Sequence, residues 1–356
     1  SLLTDGDQLD IEQIGRIVSQ IAKLRQLGTE VILVTSGAVA AGRSRLGITR
    51  RRRDIPFRQV LAAVGQGRLM QAYDQLFSEH DIVVAQTLLT RRDLSDRLSY
   101  LNARNTMLAL LSYKVVPIIN ENDAVALEEL AESRIGENDT LAALTANLVD
   151  ADLLAILMTR EGLYTADPGA DPNATLVSRV DRIDATVEAY AGASEREGTG
   201  GMVTKLQAAR LATSGGADVV IASGREPDVL PRLALGESIG TLFPAAADRL
   251  ESRKRWILSG LSIRGGVVVD EGAAKALTER NTSLLPAGVK DICGAFARGE
   301  TIEVTMASGR RIACGIANYS SEETASIKGA KSAEIVNILG HDYGAEVVHR
   351  DNLVIV

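Results

Sequence analysis

Residues 31–38 read Val31-Ile32-Leu33-Val34-Thr35-Ser36-Gly37-Ala38. Four apolar residues, three of them β-branched, run into a Thr-Ser-Gly turn. A run that is apolar on both faces suits a strand buried within a parallel sheet. Ahead of it, Ile11, Ile14, Ile17, Val18, Ile21 and Leu24 recur at helical spacing over residues 11–27. The same texture returns at Val115–Ile119, which ends at Asn120, and again at Asp152–Met158 and Ala217–Ala222. Buried strands separated by helices predict an α/β fold with a mostly parallel central sheet between helices.

Beyond residue 250 the texture changes. Val267–Val269, Thr301–Met306, Ile312–Ile316 and Val347–Val348 are short β-like runs broken by Gly-rich turns such as Ser308-Gly309, which predicts a small β-rich barrel. Dividing 356 residues by about 150 per domain gives about two domains, in agreement. The expected division is 1–250 for the α/β domain, 251–263 for a linker containing Arg253-Lys254-Arg255, 264–341 for the β-rich domain and 342–356 for a C-terminal extension.

Hydrophobic content of 46% is too high for disorder. The net charge is −7, and from residue 251 onward 13 basic side chains meet 13 acidic ones, so the excess lies in the first domain. That balance weighs against a general nucleic-acid or anionic-membrane binder. No stretch reaches the ~18 apolar residues of a membrane span. Two cysteines, Cys293 and Cys314, make neither a disulfide framework nor a zinc site. With no signal peptide visible, a soluble cytoplasmic protein is expected.

In an open parallel sheet, ligands bind beyond the carboxyl ends of the strands, and five polar segments follow the strand runs. Thr35-Ser36-Gly37-Ala38 is a strand-to-helix turn whose backbone N–H groups and helix dipole suit an anion; packing or capping explains a Ser-Gly turn equally. Asn120-Glu121-Asn122-Asp123 crowds polar groups at a strand end, where they suit an ammonium group, a metal or an ordinary Asn/Asp-rich turn. Gly136-Glu137-Asn138-Asp139-Thr140 opens the apolar helix Leu141–Leu148 and offers an amide and a carboxylate, or simply its N-cap. Gly162-Leu163-Tyr164-Thr165-Ala166-Asp167-Pro168 is a turn-rich loop whose Tyr could line a nucleotide pocket. Gly198-Thr199-Gly200-Gly201-Met202-Val203-Thr204-Lys205 places three glycines and two threonines before a helix with a lysine on its first turns, the chemistry of a phosphate cradle. It is not a Walker A loop, and no intact dinucleotide fingerprint occurs.

His80, His341 and His349 lie outside all five segments. A histidine base is unnecessary if the nucleophile is a carboxylate, which is already ionised at pH 7. Phosphorylating such a group needs mainly positioning and charge neutralisation.

Taken together these segments, with Leu61-Ala62-Ala63-Val64-Gly65-Gln66 and Leu101-Asn102-Ala103-Arg104, resemble the amino acid kinase family in order and spacing over most of the chain. The tail resembles a PUA domain through Val269-Asp270-Glu271-Gly272-Ala273, Ser283-Leu284-Leu285-Pro286 and Phe296-Ala297-Arg298-Gly299-Glu300. The combination resembles the branch whose members phosphorylate the γ-carboxylate of L-glutamate with ATP and Mg²⁺, opening proline biosynthesis. Matched positions then imply glutamate binding by Ser36, Asp123 and Asn138. They imply ATP binding by Thr159 and by Thr199, Gly200, Gly201, Met202, Val203, Thr204 and Lys205. Lys205 would stabilise the transferring phosphoryl group, and Asp139 would organise the catalytic lysines. The resemblance also implies feedback inhibition by proline and a homo-oligomer. Alternatives are a family member acting on aspartate, acetylglutamate or carbamate, a regulatory pseudo-kinase, or an RNA-binding protein acting through the PUA-like tail.

Two departures stand out. The family opens with a strand ending in a Lys-x-Gly-[Ser/Thr] turn that contacts ATP; the residues read here begin past that turn, so this strand and its lysine are expected ahead of Ser1. Thr159 is followed by Arg160, where the family has Asp, and the segment to Gly162 is one residue short.

Overall fold

The computed structural model describes residues 2–6, 8–48, 55–125, 137–192, 201–246, 265–280 and 282–355. Two compact units emerge, one of residues 1–95 and 102–248, the other of residues 96–101 and 249–356. The expected linker 251–263, with Arg253, Lys254 and Arg255, falls outside the described residues.

The first unit opens with the two-residue strands β1 (Thr4–Asp5) and β2 (Gln8–Leu9), an antiparallel pair. Helix α1 (Ile11–Gln26) starts where Asp10 caps it, its side chain accepting from Gln13 N at 2.9 Å, and stops at Leu27-Gly28, where Gly28 takes φ +82°. Its buried face carries Ile14, Ile17, Val18, Ile21 and Leu24, the residues whose spacing predicts the helix. There follow β3 (Leu33–Val34), α2 (Ala38–Leu46), α3 (Ile55–Ser78), β4 (Val84–Leu89), α4 (Arg91–Ser95), α5 (Arg97–Ser112) and β5 (Val116–Glu121). Next come α6 (Glu137–Val149), β6 (Leu153–Met158), α7 (Ala185–Gly192), α8 (Met202–Ser214), β7 (Asp218–Ser223), α9 (Val229–Ala234) and β8 (Thr241–Phe243).

These strands form two three-stranded sheets, ordered β3-β5-β4 and β6-β7-β8. All pairings are parallel except β7–β8. Helix α6 packs against β3, β5 and β6 and so touches both sheets. Leu157 of β6 packs against the core of Ile14, Val18, Val116 and Ile118. Among the described residues, β3 and β6 each keep one edge unpaired. The expected mostly parallel α/β arrangement is therefore observed, with β4 added. Its interior Gln86 and Thr87 break the apolar run that marks the other buried strands.

Helices α2 and α3 lie nearly backbone to backbone. A Cβ on Gly42 would stand 1.9 Å from Leu61 O, and one on Gly65 would stand 1.8 Å from Ala38 O. Only hydrogen fits in either place. Gly65→Ala must push α3 away from the turn at residues 35–38, and is expected to lower stability by about 3 kcal/mol through overpacking. A shift of the urea midpoint at constant slope reports it; an unchanged midpoint would refute the close approach.

The second unit holds a five-stranded sheet ordered β10-β9-β11-β12-β13. Its strands are β9 (Gly265–Val269), β10 (Val289–Gly294), β11 (Thr301–Met306), β12 (Arg311–Ile316) and β13 (Leu353–Ile355). β9 and β11 are parallel and the other neighbours antiparallel. The core gathers Val267, Val269, Ile302, Val304, Ile312, Tyr319 and Val348. Val347–Val348, expected as a strand, is instead buried and makes a single bridge from Val348 to Leu284. The run is apolar because it is core, not because it belongs to a ladder. β13 lies within the segment 342–356. Cys293 and Cys314 are both free thiols. Among the described residues no helix is long and apolar enough to cross a membrane.

Candidate active site

Parallel register brings the carboxyl ends of β3, β5 and β4 level with one another. Thr35 N donates to Ile119 O at 2.9 Å, and Asn122 N to Leu89 O at 3.1 Å. At that end an open cleft of about 230 Å³ is lined by Ala38, Gln66, Gln86, Glu121, Asn122 and Asp123, among others. Two carboxylates line this small cleft, a chemistry that suits an ammonium group. Asn120, at the head of this polar run, does not line it. Its buried side chain stands behind the lining, Nδ2 donating at 2.9 Å to Oε1 of the cleft-lining Gln66.

Ser36 lies just beyond β3 and is half-buried, two residues from the cleft-lining Ala38. The turn that carries it depends on Gly37, whose φ of +113° few other residues tolerate, and Gly37 is also the N-cap of α2. Asn138 sits in the first turn of α6, its Oδ1 buried without a hydrogen-bond partner among the described residues. A buried amide oxygen left open in this way is what a ligand's N–H would satisfy.

Asp139 follows on the same turn and meets the start of α8. Lys205 Nζ donates to Asp139 Oδ2 at 3.0 Å, with the two side chains only 10% and 18% exposed. Thr204 Oγ1 stands 2.8 Å from the same carboxylate oxygen and 2.8 Å from Gly201 O. The sequence groups Thr204 with the nucleotide-binding candidates; in the fold its hydroxyl is turned onto Asp139 and Gly201. The side chains of Met202 and Val203 pack in one cluster with Leu206 and Ala143. What Gly201–Lys205 presents is therefore the first-turn N–H groups of α8, which have no intrahelical partner, and one lysine cation. Thr199, Gly200 and Gly136 lie outside the described residues.

Thr159 is exposed at the end of β6. Arg160 pairs with Asp167 at 2.8 Å, and Asp167 Oδ1 also accepts from Gly169 N at 3.0 Å. Tyr164 donates to Glu161 at 2.8 Å; burial and this carboxylate raise the phenol's pKa, while Glu161's is lowered, chiefly by its backbone hydrogen bond. Leu163 N donates to Thr241 Oγ1 at 2.8 Å. The loop 162–168 is thus tied down by its own neighbours, and Arg160 has become part of that tie. Among the described residues no group of three or more His, Cys, Asp or Glu side chains could hold a metal ion.

Sequence reasoning misses the Asn120–Gln66 pair, the role of Thr204 and a buried contact between Thr35 and Tyr73. None has a local signature, since the partners stand 54, 65 and 38 residues apart.

The parallel sheets, the acidic cleft at their carboxyl ends and a helix start bearing a carboxylate-bound lysine define a class of phosphate-handling α/β proteins, and residues 1–223 match the amino acid kinase family, to which the chain belongs. Residues 265–339 match the PUA domain. Glutamate 5-kinases are among the chain's relatives. It is 52% identical to the glutamate 5-kinase of Dehalococcoides mccartyi strain CBDB1, over 100% of this chain and 96% of that protein. It is 53% identical to that of Herpetosiphon aurantiacus, over 99% of this chain and 95% of that one. It is also 53% identical to that of Paraburkholderia phymatum, over 100% and 95%.

Proposed function

We propose that the chain transfers the γ-phosphoryl group of ATP to the γ-carboxylate of L-glutamate, giving L-glutamyl 5-phosphate and ADP, the first step of proline biosynthesis. The observation that carries the reading is the pairing of Lys205 with Asp139 at the start of α8, in the same unit as a small acidic cleft. Relatives named glutamate 5-kinases match at 52–53% identity along their length. At about 230 Å³ the cleft is below the ~300–1,000 Å³ of drug-sized sites, so it suits one amino acid rather than a nucleotide.

Asp123 holds the substrate ammonium, and Ser36 and Asn138 complete the glutamate site. Thr159 and residues 199–205 bind ATP, with Mg²⁺ arriving on the phosphates as part of the nucleotide substrate. A carboxylate oxygen attacks the γ-phosphorus as the bond to the ADP oxygen breaks, and the departing charge stays on ADP. No proton moves from the acceptor, so no base is required. Lys205 Nζ and the N–H groups of α8 meet the charge that spreads over the phosphoryl oxygens, while Asp139 and Thr204 hold the lysine in line. Proline, which shares the amino-acid end of glutamate, competes as a feedback inhibitor, and the protein works as a homo-oligomer.

The direct test is ATP- and Mg²⁺-dependent phosphorylation trapped as the hydroxamate, with L-glutamate beside L-aspartate and N-acetylglutamate. Turnover on glutamate alone supports the reading; preference for either other acceptor overturns it. Asp123→Asn is expected to raise the KM for glutamate about 30- to 100-fold, since it weakens a charge-assisted hydrogen bond of about 2–3 kcal/mol. The KM for ATP should stay within about twofold of wild type. An unchanged glutamate KM would remove Asp123 from the site.

A further inference from the structure

Tyr73 of α3 is fully buried, and its hydroxyl stands 2.7 Å from Thr35 Oγ1. Thr35 is itself 2% exposed, and its hydroxyl lies 3.3 Å from the carbonyl oxygen of Ser36. A threonine hydroxyl has one proton. With that proton directed to Ser36 O, the Tyr73 O–H must be the donor to Thr35. Burial pushes the Tyr73 phenol up to about 12, so the donor keeps its proton at any working pH. In that orientation, one of the two that the Tyr73–Thr35 contact allows, a chain runs from Tyr73 through Thr35 to the Ser36 carbonyl.

That carbonyl belongs to the Ser36–Gly37 peptide, which is trans. In a planar trans peptide the C=O and the following N–H point in opposite directions. Fixing Ser36 O toward Thr35 therefore fixes the Gly37 N–H away from it. The N–H groups of Ser36, Gly37 and Ala38 make no hydrogen bond among the described residues, and Ala38 lines the cleft. The φ of +113° at Gly37 allows the peptide to adopt this orientation.

We propose that Tyr73 is a positioning residue for phosphoryl transfer: through the Thr35 hydroxyl it holds the Ser36–Gly37 peptide so that the Gly37 N–H meets an oxygen of the reacting carboxylate and phosphoryl group. This rests on the glutamate-kinase reading above. Tyr73 touches no substrate and acts only through the turn. Its ring would fill the core equally well as phenylalanine, so the core alone gives no reason for the hydroxyl.

The test compares full-length wild type with Tyr73→Phe, Thr35→Val, the double variant and Thr35→Ser, measuring kcat, both KM values and the thermal midpoint. Tyr73→Phe is expected to lower kcat about tenfold, the scale of a misplaced rather than deleted donor. Both KM values stay within about twofold. Thr35→Val does the same, the double variant is no worse than either single one, and Thr35→Ser keeps at least about half of wild-type kcat. If Tyr73→Phe leaves kcat unchanged, lowers only the thermal midpoint, or combines with Thr35→Val as independent factors of about a hundred, the relay is overturned. Should Thr35→Val fail to fold, Tyr73→Phe and Thr35→Ser decide. If wild type itself phosphorylates no glutamate, the functional reading falls and takes the relay with it. Turnover by wild type with an indifferent Tyr73→Phe sinks the relay alone.

Discussion

Lys205→Ala lowers kcat on glutamate by about 10³-fold, equivalent to about 4 kcal/mol of lost transition-state stabilisation. The lysine stands at the start of α8 with its side chain 10% exposed, so its charge acts through protein rather than through bulk water. Its partner Asp139 aims it, and Thr204 steadies that carboxylate. Charge on the phosphoryl oxygens peaks in the transition state, so the loss falls on kcat, with the KM for ATP changing by only a few-fold. The substitution also leaves Asp139 without this cation, so Lys205→Met combined with Asp139→Asn separates lost catalysis from lost stability. Both variants should be inactive, and the double one the more stable. Steady-state hydroxamate formation and thermal melts read the two effects. A kcat within tenfold of wild type would remove Lys205 from the chemistry.

Arg104→Ala costs about 2–3 kcal/mol of stability, the scale of losing a buried guanidinium hydrogen-bonded to a carboxylate. Arg104 is 3% exposed on α5. It reaches across to the end of α6, donating to the Leu148 carbonyl and pairing with Asp150 at 2.6 Å. Asp150 sits in the left-handed region at φ +53° and Ala151 N closes the helix end on Ala146 O at 2.9 Å, while the guanidinium takes up the further carbonyl of Leu148. Against a usual total of about 5–15 kcal/mol, the loss should appear as a large drop in the urea midpoint. Adding Asp150→Ala removes the carboxylate that Arg104 neutralised and should recover part of the loss. A single-variant cost below about 1 kcal/mol would show the pair to be ornamental.

How much of this was legible beforehand follows from the range over which each signal acts. Helix α1 is readable because its six apolar positions lie within one stretch of the chain, and β5, β6 and β7 because each carries an unbroken apolar run. β4 gives no such signal because Gln86 and Thr87 interrupt its run, and β10 gives none because Lys290 and Asp291 mark an exposed edge. Val347–Val348 misled for the converse reason: it is apolar and buried yet belongs to no ladder. The segments after the strands were also legible, since a parallel sheet sends every loop at its carboxyl ends to one side. Ala38 and Asp123, from two of those segments, line one cleft.

By itself, then, the sequence determined the alternation of helices and buried strands, the change of texture near residue 250 and the chemical types available at the strand ends, because these depend on neighbours a few residues apart. The tertiary structure alone decided which of those groups meet. Asp139 finds Lys205 across 66 residues, Arg104 finds Asp150 across 46, and Tyr73 finds Thr35 across 38. It also set the Thr204 hydroxyl against Asp139 and made Arg160 a partner for Asp167. Such pairings depend on how closely whole elements pack, as where Gly42 and Gly65 let α2 and α3 touch. That geometry is set by the folded unit and is written in no local stretch of the chain.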